Sequence, residues 1–124
     1  EEAFETNNVT TDQKRFDRNW DIWRASPDIR IAGPTFGWFA AAVGTVKRNA
    51  KSGRLKKLNF PITILSASDE ALVRNEAHEA VAAKLPDAQH VTIEGAKHEL
   101  LQETDAHRAK VFQALDDLLK RAGI

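Results

Sequence analysis

Two short apolar runs with a helical pattern between them constrain the fold of this 124-residue chain more than any other feature. The first run, Ile62-Thr63-Ile64-Leu65, is rich in β-branched residues and follows Pro61, and the second is His90-Val91-Thr92-Ile93. Residues 72 to 85 place apolar side chains at helical spacing. A strand, a helix and a strand in this order predict a βαβ unit with parallel strands and a right-handed crossover. We therefore expect a protein of the α/β class.

Helical patterns dominate the first half of the chain. Thr10-Thr11-Asp12-Gln13 has the form of a capping box and predicts the start of a helix that Ser26-Pro27 ends. A second helical pattern follows Gly33-Pro34 and dissolves in a basic stretch. The last helix is predicted to begin at the cap Thr104 and to end before Gly123. Helices over residues 1–58 and a β-α-β-α arrangement over residues 59–124 are the expected organisation.

Composition excludes several classes of function. Lys+Arg and Asp+Glu are balanced at 18 each, so no excess of positive charge predicts a nucleic-acid partner. The chain has no cysteine, which removes a thiolate nucleophile and a cysteine-based zinc site, and no histidine pair has the spacing of a metal site. No apolar run approaches the roughly 20 residues that span a bilayer. We expect a soluble chain without a metal or cofactor. The chain begins with Glu1 and contains no Met, so its first residues do not look like a native translation start.

Asp69 and His98 are the candidate catalytic residues, because each follows one of the two predicted strands. The carboxyl ends of parallel strands meet at one edge of a sheet, so an acid and an imidazole could lie together there. Each residue also has a structural interpretation. Asp69 could cap a helix beginning near Ala71, and His98 could be an exposed loop histidine. Glu70 is the adjacent competitor for the acid.

The segment from Pro61 to Asp69, with the run Gly95-Ala96-Lys97-His98-Glu99-Leu100-Leu101, resembles the C-terminal part of the α/β-hydrolases. The likeness is greatest to the lysophospholipase and monoacylglycerol-lipase branch, the serine aminopeptidase S33 type, in which Glu and Arg follow this run as Glu103 and Arg108 do here. Residues 10–16 and 31–38 resemble the cap and the return into the core in bacterial lysophospholipase-like members. The resemblance implies a helical cap over residues 1–58 and the C-terminal β-α-β-α portion of the hydrolase core over 59–124. It also implies that His98 is the general base and later acid of a Ser-Asp-His triad, with Asp69 fixing its tautomer.

The chain departs from this family at the nucleophile. A nucleophile elbow has the form Gly-x-Ser-x-Gly, because small residues allow its strained turn. None of the serines has that setting; they are Ser26, Ser52, Ser66 and Ser68. We expect the nucleophile and the oxyanion hole to precede Glu1, so that this chain needs the missing N-terminal part as its partner and is inactive alone.

The resemblance implies an enzyme that hydrolyses a carboxylic ester, either a lysophospholipid or a monoacylglycerol. Cap aromatics would then contact the lipid tail, although helically spaced aromatics usually pack a core; the candidates are Trp20, Trp23, Phe36 and Trp38. The basic residues between Lys47 and Lys57 form a solvated loop or contact anionic lipid headgroups. We expect a cytoplasmic protein, with peripheral membrane contact as an option. Two alternatives stay open: a non-catalytic α/β binding domain, and a hydrolase with an Asp nucleophile like the dehalogenases and epoxide hydrolases.

Overall fold

The structure is a computed structural model that describes residues 3–31, 33–51 and 53–124, with the side chains of residues 50 and 51 outside the description. Two helices precede a β-α-β-α arrangement, which confirms the α/β class. The division into a cap over 1–58 and a core over 59–124 stays a prediction. The helices are Gln13–Ala25 (α1), Phe36–Lys51 (α2), Asn75–Ala82 (α3) and Asp105–Ala122 (α4), and the strands are Ile62–Ala67 (β1) and Ala88–Ile93 (β2).

The two strands pair in parallel, as the sequence predicts. The register runs from Ile62 opposite Ala88 to Ala67 opposite Ile93, so both strands end at the same edge. Helix α3 provides the crossover, because parallel neighbours cannot be joined by a tight turn. The carboxyl ends of β1 and β2 therefore deliver the two loops that follow them to one place.

Helix α4 has both of its predicted caps. The hydroxyl of Thr104 accepts a hydrogen bond from the backbone N–H of His107. Gly123 has a φ of 77°, the left-handed conformation that glycine adopts without strain at the end of a helix. Local chemistry thus sets the length of α4, which packs on both strands.

A small core lies between the strands and α4. Its buried members are Ala67, Ile93, Ala96 and Val111, with Leu65 and Leu100 among the side chains packed against them. A second cluster joins α1 to the start of the chain, where the Phe16 ring is 5.6 Å from Phe4 and 6.2 Å from Trp20, both edge to face. Edge-to-face packing suits the charge distribution of aromatic rings. Aromatic packing thus accounts for part of the aromatic content of the first half of the chain.

Two sequence-based boundaries are wrong. Helix α3 begins at Asn75 and not near Ala71, because the side chain of Glu70 accepts the backbone N–H groups of Leu72 and Val73 and holds the chain in a loop. The capping box at Thr10 does not form either. The N-cap of α1 is Asp12, whose side chain accepts from the N–H of Arg15.

One face of the β1–α4 layer is open. A groove there includes Leu65, Phe112, Leu115 and Leu118, and His98 lies along its wall. Phe112 and Leu115 are each 45% exposed, which is high for apolar residues on a face that packs against a sheet. In the described part of the chain, no helix is both long enough and apolar enough to cross a bilayer.

Candidate active site

The loops that follow β1 and β2 are joined by backbone and side-chain hydrogen bonds. The N–H of Ser68 donates to the carbonyl of Ile93 at 3.2 Å, and the N–H of Asp69 donates to the carbonyl of Ala96 at 3.0 Å. The Ser68 hydroxyl accepts from the N–H of Gly95 at 2.8 Å. The predicted convergence of the two loops is therefore confirmed.

Within this junction, His98 contacts Glu70. The Nδ1 atom of His98 lies 2.7 Å from Oε2 of Glu70. The Glu70 side chain is 5% exposed, whereas that of His98 is 32% exposed. A buried carboxylate bound to Nδ1 leaves Nε2 outside this contact, which is the arrangement of an acid that orients an imidazole.

Glu70 is held as a charged group by its surroundings. Burial is the largest single influence and raises its pKa, but hydrogen bonds from the N–H of Leu72, the His98 ring and the N–H of Val73 together bring the pKa below its ordinary value. The two backbone donors lie 2.7 and 3.2 Å from Oε1. One carboxylate oxygen is thus fixed by the backbone and the other faces His98.

Asp69 is exposed and is directed elsewhere. Its Oδ1 accepts a hydrogen bond from the Ser68 hydroxyl at 2.9 Å, and no hydrogen bond joins its side chain to His98. It does not cap α3, whose N-cap is Arg74. The structure brings the neighbouring Glu70, and not Asp69, to the ring, and the catalytic role of Asp69 stays a prediction. One step along the chain decides which carboxylate faces the histidine.

A second carboxylate, Glu103, lies under the His98 loop and is fully buried. Its Oε1 accepts from the N–H groups of Thr11 and Lys97, at 2.9 and 2.8 Å. Its Oε2 accepts from the Thr11 hydroxyl, from the N–H of Thr104 at 3.1 Å, and from the His107 ring at 3.0 Å. Sequence reasoning gave Glu103 no role beyond its place after the histidine run, because its donors come from both ends of the chain.

These donors determine the charge of Glu103. Burial, the largest influence, raises its pKa, but the hydrogen bonds from the Thr11 hydroxyl, the N–H of Lys97, the His107 ring and the N–H of Thr11 lower the pKa to about 2. Several N–H and O–H donors stabilise the ionised form of a buried carboxylate. Glu103 is therefore an ionised carboxylate at neutral pH, and it is the hub to which these five donors bind.

The four aromatic residues predicted to contact substrate do not lie together. Trp20 and Trp23 pack edge to face at 5.0 Å and line a hollow with Ile29, Arg30 and Ile31. Phe36 and Trp38 are not among the residues that line this hollow; they lie on the first turn of α2 and are 96% and 62% exposed. The structure thus divides the candidates into two pairs, and their contact with substrate stays a prediction.

The described part of the basic stretch is exposed. Lys47 and Arg48 lie on α2, and Arg54, Lys56 and Lys57 follow it. The side chain of Lys51 lies outside the description. The same holds for the whole of Glu1, Glu2, Ala32 and Ser52. Contact of these cations with anionic lipid stays a prediction.

Two other histidines meet a buried serine away from the site. The Ser66 hydroxyl on β1 lies 2.7 Å from Nδ1 of His78 and 2.8 Å from Nε2 of His90. Ser66 is 2% exposed, so its hydroxyl is not open to a substrate. Across residues 3–31, 33–51 and 53–124, no group of three or more histidine and acidic side chains is placed to hold a metal ion.

Comparison with known proteins agrees with this architecture. A sequence profile of the family described as serine aminopeptidase, S33 matches residues 4–105. The chain is 37% identical to the probable lysophospholipase L2 of Haemophilus influenzae over 98 residues, which are 79% of this chain and 31% of that protein. It is 29% identical to lysophospholipase L2 of Escherichia coli K12 over 125 residues, 95% of this chain and 36% of that protein.

A solved structure shares the fold. A soluble variant of monoglyceride lipase from Saccharomyces cerevisiae, in complex with a substrate analogue, matches with a TM-score of 0.70 at 17% identity, over 93% of this chain and 41% of that chain. The chain spans about a third of the length of the curated relatives it matches. The parallel β-α-β unit, the profile match over most of the chain and the likeness to an α/β-hydrolase agree: the chain belongs to the serine aminopeptidase S33 family of α/β-hydrolases.

Proposed function

We propose that this chain is the C-terminal part of a hydrolase that cleaves carboxylic esters, and that His98 is its general base. The observation that carries the proposal is the 2.7 Å contact between Nδ1 of His98 and the buried carboxylate of Glu70, beyond the carboxyl ends of two parallel strands. In this geometry Glu70 holds the tautomer in which Nδ1 carries the proton and Nε2 can accept one. Glu70, and not Asp69, is the acid in this proposal.

The proposed reaction is acyl transfer through a serine nucleophile that lies outside these 124 residues. His98 Nε2 would take the proton of the serine hydroxyl as the oxygen attacks the ester carbonyl, and would then give it to the departing alcohol. Water would enter with His98 again as base, and the acid product and free serine would result. The charge of Glu70 would stabilise the imidazolium formed in each half.

The relatives favour a lipid ester as the substrate class. Two of them are named lysophospholipases, and the fold neighbour is named a monoglyceride lipase. The apolar hollow at Trp20 and Trp23 is the proposed contact for an acyl chain, because indole rings offer a large apolar surface. Phe36 and Trp38 are a second proposed contact for the acyl chain. Lysophospholipids and monoacylglycerols are the esters to test first.

A fluorophosphonate probe, which reacts with activated serines, tests the mechanism. The full-length hydrolase of this proposal should be labelled, and the 124-residue chain alone should not. His98→Ala should abolish labelling, because the serine loses its base. His78→Ala, which changes a histidine bonded to Ser66 and not to Glu70, should keep it.

Three results would contradict the proposal in different ways. Labelling that survives His98→Ala would remove His98 from the mechanism. Hydrolysis without labelling would indicate a carboxylate nucleophile. A full-length protein that neither hydrolyses esters nor takes the label would favour a non-catalytic binding domain.

A further inference from the structure

Both neighbours of His98 are fixed through their backbone N–H groups. The N–H of Lys97 donates to Oε1 of Glu103 at 2.8 Å. The N–H of Glu99 donates to the carbonyl of Val9 at 2.8 Å. The ring of His98 therefore extends from a peptide segment that is held on either side.

The segment that holds the loop is itself rigidly built. Asn7 is 2% exposed, and its Oδ1 accepts the N–H groups of Val9 and Thr10 at 3.0 and 2.9 Å. The ammonium of Lys97 donates to the Asn7 carbonyl at 2.7 Å, so the same segment also holds the side chain before His98. The Thr10 hydroxyl donates to the carbonyl of Gln102 at 2.8 Å. Residues 7–11 and 97–103 thus form one hydrogen-bonded unit.

Glu103 is the fully buried carboxylate of this unit. Its two oxygens join the start of the chain at Thr11, the His98 loop at Lys97 and the first turn of α4 at Thr104 and His107. An amide bound to a carboxylate is held more strongly than one bound to a neutral acceptor. A neutral side chain of the same shape could not accept all five donors.

We propose that Glu103 is a positioning residue for His98, acting through the N–H of Lys97. The inference rests on the proposed function, since it assumes that His98 is the base. Displacing a catalytic group by about 1 Å can cost about 10²-fold in rate. Glu103 does not touch the substrate in this proposal; it fixes the peptide from which the imidazole reaches both Glu70 and the nucleophile.

Glu103→Gln in the full-length protein tests the proposal. The amide keeps the volume of the side chain but removes the charge that holds the N–H of Lys97, and in either orientation its NH₂ group faces a backbone N–H, those of Thr11 and Lys97 or that of Thr104. We expect kcat to fall about 10- to 100-fold with KM changed less than about twofold. Backbone N–H groups of Lys97 and Glu99 should exchange with solvent at least about tenfold faster, because loss of the hub opens the loop locally.

Two matched variants separate positioning from general loss of stability. His107→Ala removes one donor to Glu103 and leaves the Lys97 bond, so it should lower Tm without the fall in kcat. Glu94→Gln removes an exposed charge from the same loop and should change neither quantity. Equal losses of kcat in Glu103→Gln and His107→Ala at equal loss of Tm would overturn the proposal.

Failure of the proposed function gives a different result. It would appear as absence of ester hydrolysis by the unmutated full-length protein. Hydrogen exchange of the Lys97 N–H is measured without substrate, so it still tests whether Glu103 holds the loop. Unchanged exchange at Lys97 and Glu99 in Glu103→Gln would overturn that link, and faster exchange confined to this loop would support it.

Discussion

Glu70 Oε2 lies 2.7 Å from Nδ1 of His98, while the adjacent Asp69 accepts its hydrogen bond from the Ser68 hydroxyl. Two neighbouring carboxylates thus have different surroundings, one buried against the imidazole and one exposed. The pair offers a direct comparison, because the same chemical change can be made at both positions.

On the proposed mechanism, Glu70→Gln should abolish most of the turnover of the full-length hydrolase, whereas Asp69→Asn should change it only a few-fold. An amide at position 70 would not stabilise the imidazolium and could favour the wrong tautomer, which costs up to about 10⁴-fold in serine proteases. Steady-state hydrolysis of a monoacylglycerol or a lysophospholipid measures both variants. The opposite ranking would restore Asp69 as the acid.

Local patterns predicted the elements of the fold that depend on local chemistry. The β-branched runs became the parallel strands, and Thr104 and Gly123 cap α4 as their residue types suggest. These features depend on interactions between residues that lie close together in the sequence. The α/β class and the edge at which the loops meet could therefore be predicted.

Tertiary contacts decided what local patterns could not. The Thr10 hydroxyl donates to the carbonyl of Gln102, 92 residues away, and accepts from the N–H of Asp12, so Asp12 becomes the cap. Glu70 binds two amides and delays the start of α3, which turns its carboxylate and not that of Asp69 toward His98. No single local pattern contains such partners.

The charge of Glu103 predicts a pH dependence of stability. Its pKa is lowered from 4.5 to about 2 in the fold. The carboxylate therefore contributes stability that is complete above pH 4.5 and is lost as the pH falls toward 2, on the order of 3 kcal/mol in all. In the full-length protein, the difference in free energy of unfolding between the unmutated protein and Glu103→Gln should be constant from neutral pH to about pH 5 and should shrink below that.

Urea unfolding at a series of pH values measures this difference. Glu70 and Asp105 also have lowered pKa values, but both are present in the two proteins, so their contributions cancel. Glu94→Gln, which removes an exposed carboxylate from the same loop, serves as the control for the substitution itself. A Glu103→Gln difference that stays flat through pH 4 would contradict the assigned charge.

Ser66 links His78 and His90, and its loss should destabilise the fold. A hydroxyl can donate to one ring nitrogen while it accepts from the other, so Ser66→Ala leaves two imidazoles without this partner. We expect a loss of about 1 to 3 kcal/mol in the free energy of unfolding. Ser26→Ala, at an exposed position whose side chain makes no capping bond, should cost less than about 0.5 kcal/mol.

A double-mutant cycle identifies the cause of that loss. Ser66→Ala and His78→Ala remove the same hydrogen bond, so the double variant should lose less than the sum of the two single losses. Additive losses would mean that Ser66 and His78 act separately and that the contact contributes nothing to stability. Urea unfolding of the four proteins gives the comparison.

Gly95 and Gly123 have the same φ of 77° but different surroundings, so alanine at each position separates backbone strain from crowding. A Cβ on Gly123 meets nothing within 4 Å, whereas one on Gly95 lies 3.4 Å from Nε2 of His107. Gly123→Ala should cost about 1 to 2 kcal/mol, the penalty of the left-handed conformation alone. Gly95→Ala should cost more, because His107 must move and His107 binds Glu103.

Gly44→Ala, within α2 and with open space around it, should stabilise the protein by up to about 1 kcal/mol. Thermal unfolding of the three full-length variants gives the order; equal losses at Gly95 and Gly123 would mean that the His107 ring accommodates the new methyl group without disturbing its bond to Glu103.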